Sequence, residues 1–253
     1  MTDTLHKEQL QSAYSDPKVS DSYIQDRFDS GIGRILHEAQ VKFVIDAILK
    51  FKFNKVLEIA PGPARLTVDI GTACMDSSGT IMDLNANMLE QAQKRLNAAG
   101  LADRWRTVIG DAFDLPFDDI FQIVYSFRFI RHFYEEDRGE IYRQIYDHLE
   151  PQGYLIFDAI NHDVSAPLRA KSGPDAYPIY DELYHFPQLS AELEKNRFKI
   201  INHVAVQHSF SLMNLIQIWI GPRSPKLAYL LMKMIDVVKI GQPLEWIVLC
   251  QKM

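Results

Sequence analysis

Cysteine is scarce. The 253 residues hold only Cys74 and Cys250, far apart and outside any Cys-x-x-Cys pair. That excludes a disulfide scaffold and fits a reducing, cytoplasmic setting. Zinc- or iron-type ligand spacing is missing too, so no metal requirement is expected. Net charge is −6 and no dense Lys/Arg block occurs, which argues against nucleic acid as a partner. Residues 1–20 are polar and lack an apolar stretch, so no secretory leader is expected. No run is long enough to cross a bilayer. The most apolar late tracts, Leu212–Ile220 and Leu227–Ile240, are separated by Gly221, Pro222 and Pro225 and interrupted by Asn214, Gln217, Lys233, Asp236 and Lys239. These tracts suit core helices, a homodimer interface or an apolar pocket, with core packing the plainest reading.

What is present is an alternation of strand-like and helix-like segments, 47% apolar overall, enough for one domain over 1–253. Residues 1–50 read as an arm followed by a helix in which Ile35, Leu36, Ala39, Phe43, Val44, Ala47 and Ile48 share a face. Strands are expected at Lys55–Ala60, Thr80–Leu84, Trp105–Ile109, Phe121–Phe129 and Tyr154–Ile160. Helices alternate with most of them. One carries Leu66, Ile70 and Ala73, one is capped by Asn85 and closed by Gly100, and one covers Glu135–Leu149. This order predicts a doubly wound, mostly parallel α/β sheet with right-handed crossovers. After residue 160 a Pro- and Tyr-rich stretch, His162–Pro187, reads as a loop or cap. A short helix (Leu189–Asn196) and strands at Phe198–Phe210 and Glu245–Gln251 follow.

The turn Ala60-Pro61-Gly62-Pro63-Ala64 closes the first strand with small residues, which lets backbone approach a ligand at the carboxyl edge of a sheet. About twenty residues on, Asp83 ends the second strand. An ionised carboxylate there can accept both hydroxyls of a ribose. An ordinary strand-to-helix turn and a helix-start acid explain the same two features equally well.

Five segments taken together decide between these readings: VLEIAPGPARLT, GTIMDLNANMLEQAQKRL, IGDAFDLPFDD, FQIVYSFRFIRHF and LEPQGYLIFDA. In this order and spacing, over roughly Val56–Ala159, they closely resemble the class I S-adenosylmethionine-dependent methyltransferase family, its ubiquinone/menaquinone-biosynthesis-like branch in particular. The resemblance implies a seven-stranded sheet with an antiparallel last strand, and S-adenosyl-L-methionine as cofactor. It places Glu58 and the Ala60, Pro61 and Gly62 backbone at the methionine end, and Asp83 on the ribose. Leu84 and Met88 would lie against one side of the adenine, Asp111 would meet its amino group, and Ala112 and Phe113 would flank the ring. Ser126 would lie near the methionine moiety or the methyl group. The family's turn is usually Gly-x-Gly-x-Gly. Here Ala60 and Ala64 replace the outer glycines, which a backbone of negative φ would tolerate. The missing glycines also disfavour the rival reading of a nicotinamide-dependent dehydrogenase. A cofactor-binding scaffold without turnover is the other alternative.

Methyl transfer needs an aligned nucleophile, and a base only when the acceptor arrives protonated. His132, in the segment after the fourth strand, is the leading candidate for that base, against the plainer role of a packing histidine. Arg128 and Arg131 could hold an anionic acceptor or pair with Glu135, Glu136 or Asp137. Asp158 could orient an acceptor or cap a loop. Tyr177, Tyr180, Tyr184, His185 and Phe186 could form a lid or a local core, and Tyr14, Tyr23 and Arg27 of the arm could close over the cofactor. His203 and His208 have no evident partner in sequence. The acceptor is expected to be a small-molecule metabolite or natural product, methylated on oxygen, nitrogen or carbon.

Overall fold

The computed structural model describes residues 31–173 and 176–253. The arm residues Tyr14, Tyr23 and Arg27 therefore lie outside the described residues. Helix α1 (Gly31–Phe51) leads into β1 (Lys55–Ile59), α2 (Arg65–Ala73), β2 (Ser78–Asp83), α3 (Ala86–Ala98) and β3 (Trp105–Ile109). Then come β4 (Phe121–Ser126), a 3-10 turn (Ile130–His132), α4 (Glu135–Asp147) and β5 (Leu149–Asn161). The second half holds α5 (His162–Ser172), β6 (Leu183–Tyr184), α6 (Phe186–Lys195), β7 (Phe198–His208), α7 (Phe210–Trp219), α8 (Pro225–Val238) and β8 (Pro243–Lys252).

The strands form one sheet in the order β3-β2-β1-β4-β5-β8-β7, with the two-residue β6 alongside β5. β1 through β5 pair in parallel, whereas β8 runs antiparallel to both its neighbours. This is the expected sheet with one short strand added. Both faces are covered, and alternation along each strand divides the core. Leu57, Ile59, Met82, Val124, Leu155 and Phe157 pack with Ile141, Ile145, Leu189 and Leu193 of α4 and α6. Val56, Ile81, Ile123, Tyr125 and Ile156 pack with Val44, Ile48, Ile70, Ala92 and Leu96 of α1, α2 and α3. Strand order reverses between β1 and β4, which opens a crevice at their carboxyl ends.

Local chemistry accounts for the element ends. The Asn85 side chain accepts from the amides of Asn87 and Met88 and starts α3, as its place in the sequence predicts. β4 stops at Ser126, short of the expected Phe129, because Arg128 turns left-handed at φ 57°. The stretch read as a loop from His162 instead enters α5 at once, with Asn161 as its cap. There the polar composition reflects a helix lying on the sheet's edge rather than buried between layers.

Candidate cofactor and acceptor site

The bend after β1 is built from alternating left-handed residues. φ is 55° at Ala60, 57° at Gly62 and 56° at Ala64. The negative φ that would have suited the two alanines is therefore not adopted: the backbone keeps a glycine conformation although two of the glycines are gone. A Cβ in that region costs about 1–2 kcal/mol. Pro61 and Pro63 occupy the intervening places, where their fixed negative φ is compatible with the bend.

Asp83 ends β2 beside this bend. Its carboxylate accepts from the amide of Gly62 at 3.1 Å and from the amide of Asn85 at 2.9 Å, tying the bend to the start of α3. Burial raises its pKa from 3.8 to about 6, against the lowering by those amides. Leu84, next in the chain, is exposed, while Met88 is buried beneath it on α3. On the neighbouring strand, just past the end of β3, Asp111 is exposed and accepts from the Phe113 amide at 3.0 Å. Ala112 is buried, and Phe113 meets Phe133 edge-on with ring centroids 5.3 Å apart.

Two residues assigned to the methionine end point elsewhere. The Glu58 carboxyl is buried, accepting from Tyr125 Oη at 2.8 Å and from the Thr67 hydroxyl, and burial raises its pKa to about 7. Ser126 donates to the Ile59 carbonyl at 2.8 Å. Both brace the crevice wall from behind.

On the acceptor side, Asp158 at the end of β5 accepts from the Arg128 amide and from Arg131 Nη1, each at 2.6 Å. Arg131, 3% exposed, also reaches Asp181 at 3.0 Å and Glu245 at 3.3 Å. Its partners are thus on β5, β8 and the segment before β6, and not Glu135, Glu136 or Asp137. Burial opposes the charge of Arg131, but the three carboxylates outweigh it and raise its pKa. His132 is buried, with Nδ1 at 2.9 Å from the Tyr180 carbonyl and 3.0 Å from Asp181. Asp181 also pairs with Arg169 at 2.6 Å. Burial would raise Asp181, yet the His132 hydrogen bond and the Arg131 charge hold it well below the usual carboxylate range. Arg128 makes no ion pair among the described residues.

Sequence reasoning missed Asp181, Glu245 and Arg169, because nothing local marks residues joined by the packing of distant segments. Tyr184 is buried with its hydroxyl on Glu192, whereas Arg169 covers the Tyr177 ring at 4.6 Å, so the aromatic stretch is partly core and partly cover. His208, read as unpartnered, contacts Asp236 at 3.2 Å. His162, Asp163 and His185 bring ligand-type atoms within 4.8 Å of one another. There the starts of α5 and α6 converge, and their positive dipole ends account for Asp163 between them. A polar depression near Arg104, Arg106 and Asp119 lies at the amino edge of the strands, opposite the crevice.

A left-handed bend, a carboxylate at the next strand's tip and a seven-strand path with an antiparallel β8 define a class I methyltransferase fold. Residues 56–153 match the family described as a methyltransferase domain. Among curated proteins, the ubiquinone/menaquinone biosynthesis C-methyltransferase UbiE of Roseobacter denitrificans is 32% identical over 124 residues, covering 47% of this chain and 46% of the relative. Its counterpart in Cereibacter sphaeroides is 26% identical over 145 residues, covering 55% and 54%. The chain thus spans about half the length of the curated relatives it matches. In fold it is similar to the magnesium protoporphyrin IX methyltransferase ChlM of Synechocystis, solved with bound SAH: TM-score 0.69, 12% identity, 98% of this chain and 100% of that one. An O-methyltransferase family protein of Burkholderia thailandensis gives 0.66 at 14% identity, over 96% and 62%.

Proposed function

We propose that this protein is an S-adenosylmethionine-dependent methyltransferase acting on a small-molecule metabolite or natural product. The observation that carries the reading is the contact between Asp83 and Gly62, which joins a carboxylate-tipped strand to the left-handed bend after β1. The donor set fits the cofactor. Asp83 takes the ribose hydroxyls, the backbone of the 60–62 bend faces the amino-acid end, and Leu84, Asp111, Ala112 and Phe113 frame the adenine. Met88 and Glu58 support this surface from the core side, as Ser126 does. When bound, S-adenosylmethionine supplies an electrophilic methyl group on a sulfonium.

The chain's own residues orient and deprotonate the acceptor. His132 donates from Nδ1 to Asp181 and the Tyr180 carbonyl, which fixes the tautomer with the proton on Nδ1 and assigns the base role to Nε2. For an acceptor hydroxyl, Nε2 would take the proton that the oxygen loses on methylation. Asp158 acts through the backbone of Arg128, holding the loop that carries His132. Arg128 is the residue placed for an anionic acceptor group. Residues 51–160 thus hold the cofactor and 161–253 cover the acceptor. A cytoplasmic setting is supported by two free, buried cysteines.

Titration calorimetry with S-adenosylhomocysteine tests this reading. Wild type should bind in the micromolar range, Asp83→Ala at least about tenfold more weakly, and His132→Ala like wild type. Unchanged binding in Asp83→Ala overturns the assignment. With an acceptor in hand, His132→Ala should lower kcat by about 10²–10⁴ while cofactor affinity holds. A wild type that binds cofactor but turns over no acceptor is the scaffold alternative.

A further inference from the structure

Helices α7 and α8 form a hairpin between β7 and β8, and its two sides differ sharply. The inner side is a small cluster: Met213, Ala228 and Met232 pack on Ile35 of α1. Tyr229 and Lys233 bind Glu38 of the same helix at 2.6 and 2.8 Å, and Gln217 accepts from the Gly31 amide. The outer side carries Leu215, Ile218, Trp219, Leu227, Leu230 and Met234, all between 47% and 66% exposed. The sequence reading of these tracts as core holds only for the inner side. On α8 the exposed apolar residues recur three and four apart, on the face opposite Ala228 and Met232.

The charge pattern says what covers this face. In a chain of net charge −6, residues 210–241 carry Arg223, Lys226, Lys233 and Lys239 against one acid, Asp236. Asp236 accepts from the His208 amide, and Lys233 is held by Glu38. Arg223 donates to the Trp219 carbonyl at the hairpin's tip, placing a cation beside an exposed indole. Lys226 and Lys239 make no ion pair among the described residues. With helices of 10 and 14 residues, the hairpin reaches only about 15–21 Å and cannot cross a hydrocarbon core of about 30 Å. No described helix is long and apolar enough to do so. A second copy docked here across a two-fold axis would bring the same cationic rim against itself.

We propose that the α7–α8 hairpin docks in the plane of an anionic lipid bilayer, with its leucine face and Trp219 at the acyl boundary and Arg223, Lys226 and Lys239 on headgroup phosphates. Indoles favour that boundary, and basic residues beside them bind its negative charge. Docking here leaves the Asp83 crevice to its own chemistry.

The test is co-sedimentation of the full chain with phosphatidylcholine vesicles, with and without phosphatidylglycerol. The protein should pellet with the anionic vesicles, and Trp219 emission should shift to the blue, a shift absent in Trp219→Phe. Replacing Arg223, Lys226 and Lys239 by Gln should weaken binding roughly 100-fold. Leu230→Asp with Met234→Asp, at exposed positions that leave the core intact, should abolish it. Failure to bind either vesicle overturns the proposal. So does sedimentation equilibrium showing a dimer that Leu230→Asp with Met234→Asp converts to monomer.

Discussion

Ala60 and Ala64 share a backbone conformation but not a surrounding. Ala60 is half-buried at the crevice, whereas Ala64 is fully buried and its methyl packs beneath α1 and α2. Ala60→Gly removes the left-handed penalty and loses little packing. Even after the greater freedom of glycine in the unfolded chain is counted, it should stabilise the protein by about 0.5–1 kcal/mol, a rise in Tm of roughly 1–3 °C by calorimetry. Ala64→Gly loses a buried methyl worth about 0.8 kcal/mol and should be near neutral. Asp83 gives a pH prediction at the same scale. Burial lifts its pKa to about 6, and ribose hydroxyls need the ionised form. Affinity for S-adenosylhomocysteine is therefore complete above that value and falls as pH drops through it. It should be about tenfold weaker near pH 5 than near pH 8, and Asp83→Asn should flatten the profile.

Arg131 couples elements rather than neighbours. Its guanidinium gathers the loop after β4, the end of β5, the segment before β6 and the start of β8 through Asp158, Asp181 and Glu245. Removing the cation strands three carboxylates in the interior, where burial already raises Glu245. Arg131→Met should cost about 3–5 kcal/mol in urea unfolding. The sequence shows an arginine near β4 and acids far downstream. Only the antiparallel return of β8, which sets Glu245 opposite Ile160 in register, makes them partners. The left-handed turn at Arg128 belongs here too, since its amide must reach Asp158 before the following 3-10 turn can carry His132 inward.

At the scale of the whole molecule, the two faces of the sheet and the outer face of the hairpin obey one rule. Apolar surface that an element presents must be covered, and the cover is set by what lies across from it. Both sheet faces find helices within the chain, while α7 and α8 find only each other, part of α1 and the end of β7. Residue order alone determined the parallel sheet, the Asn85 cap and the pairing of a small-residue bend with Asp83. Each is written in periodicity or in residue types within about twenty positions of one another. Tertiary structure alone decided the left-handed alanines, the inward turn of Glu58, the carboxylates around Arg131 and His132, and the side of the hairpin left without a partner. Each of these depends on which distant segments meet, and that outcome is fixed only when the whole core packs at once.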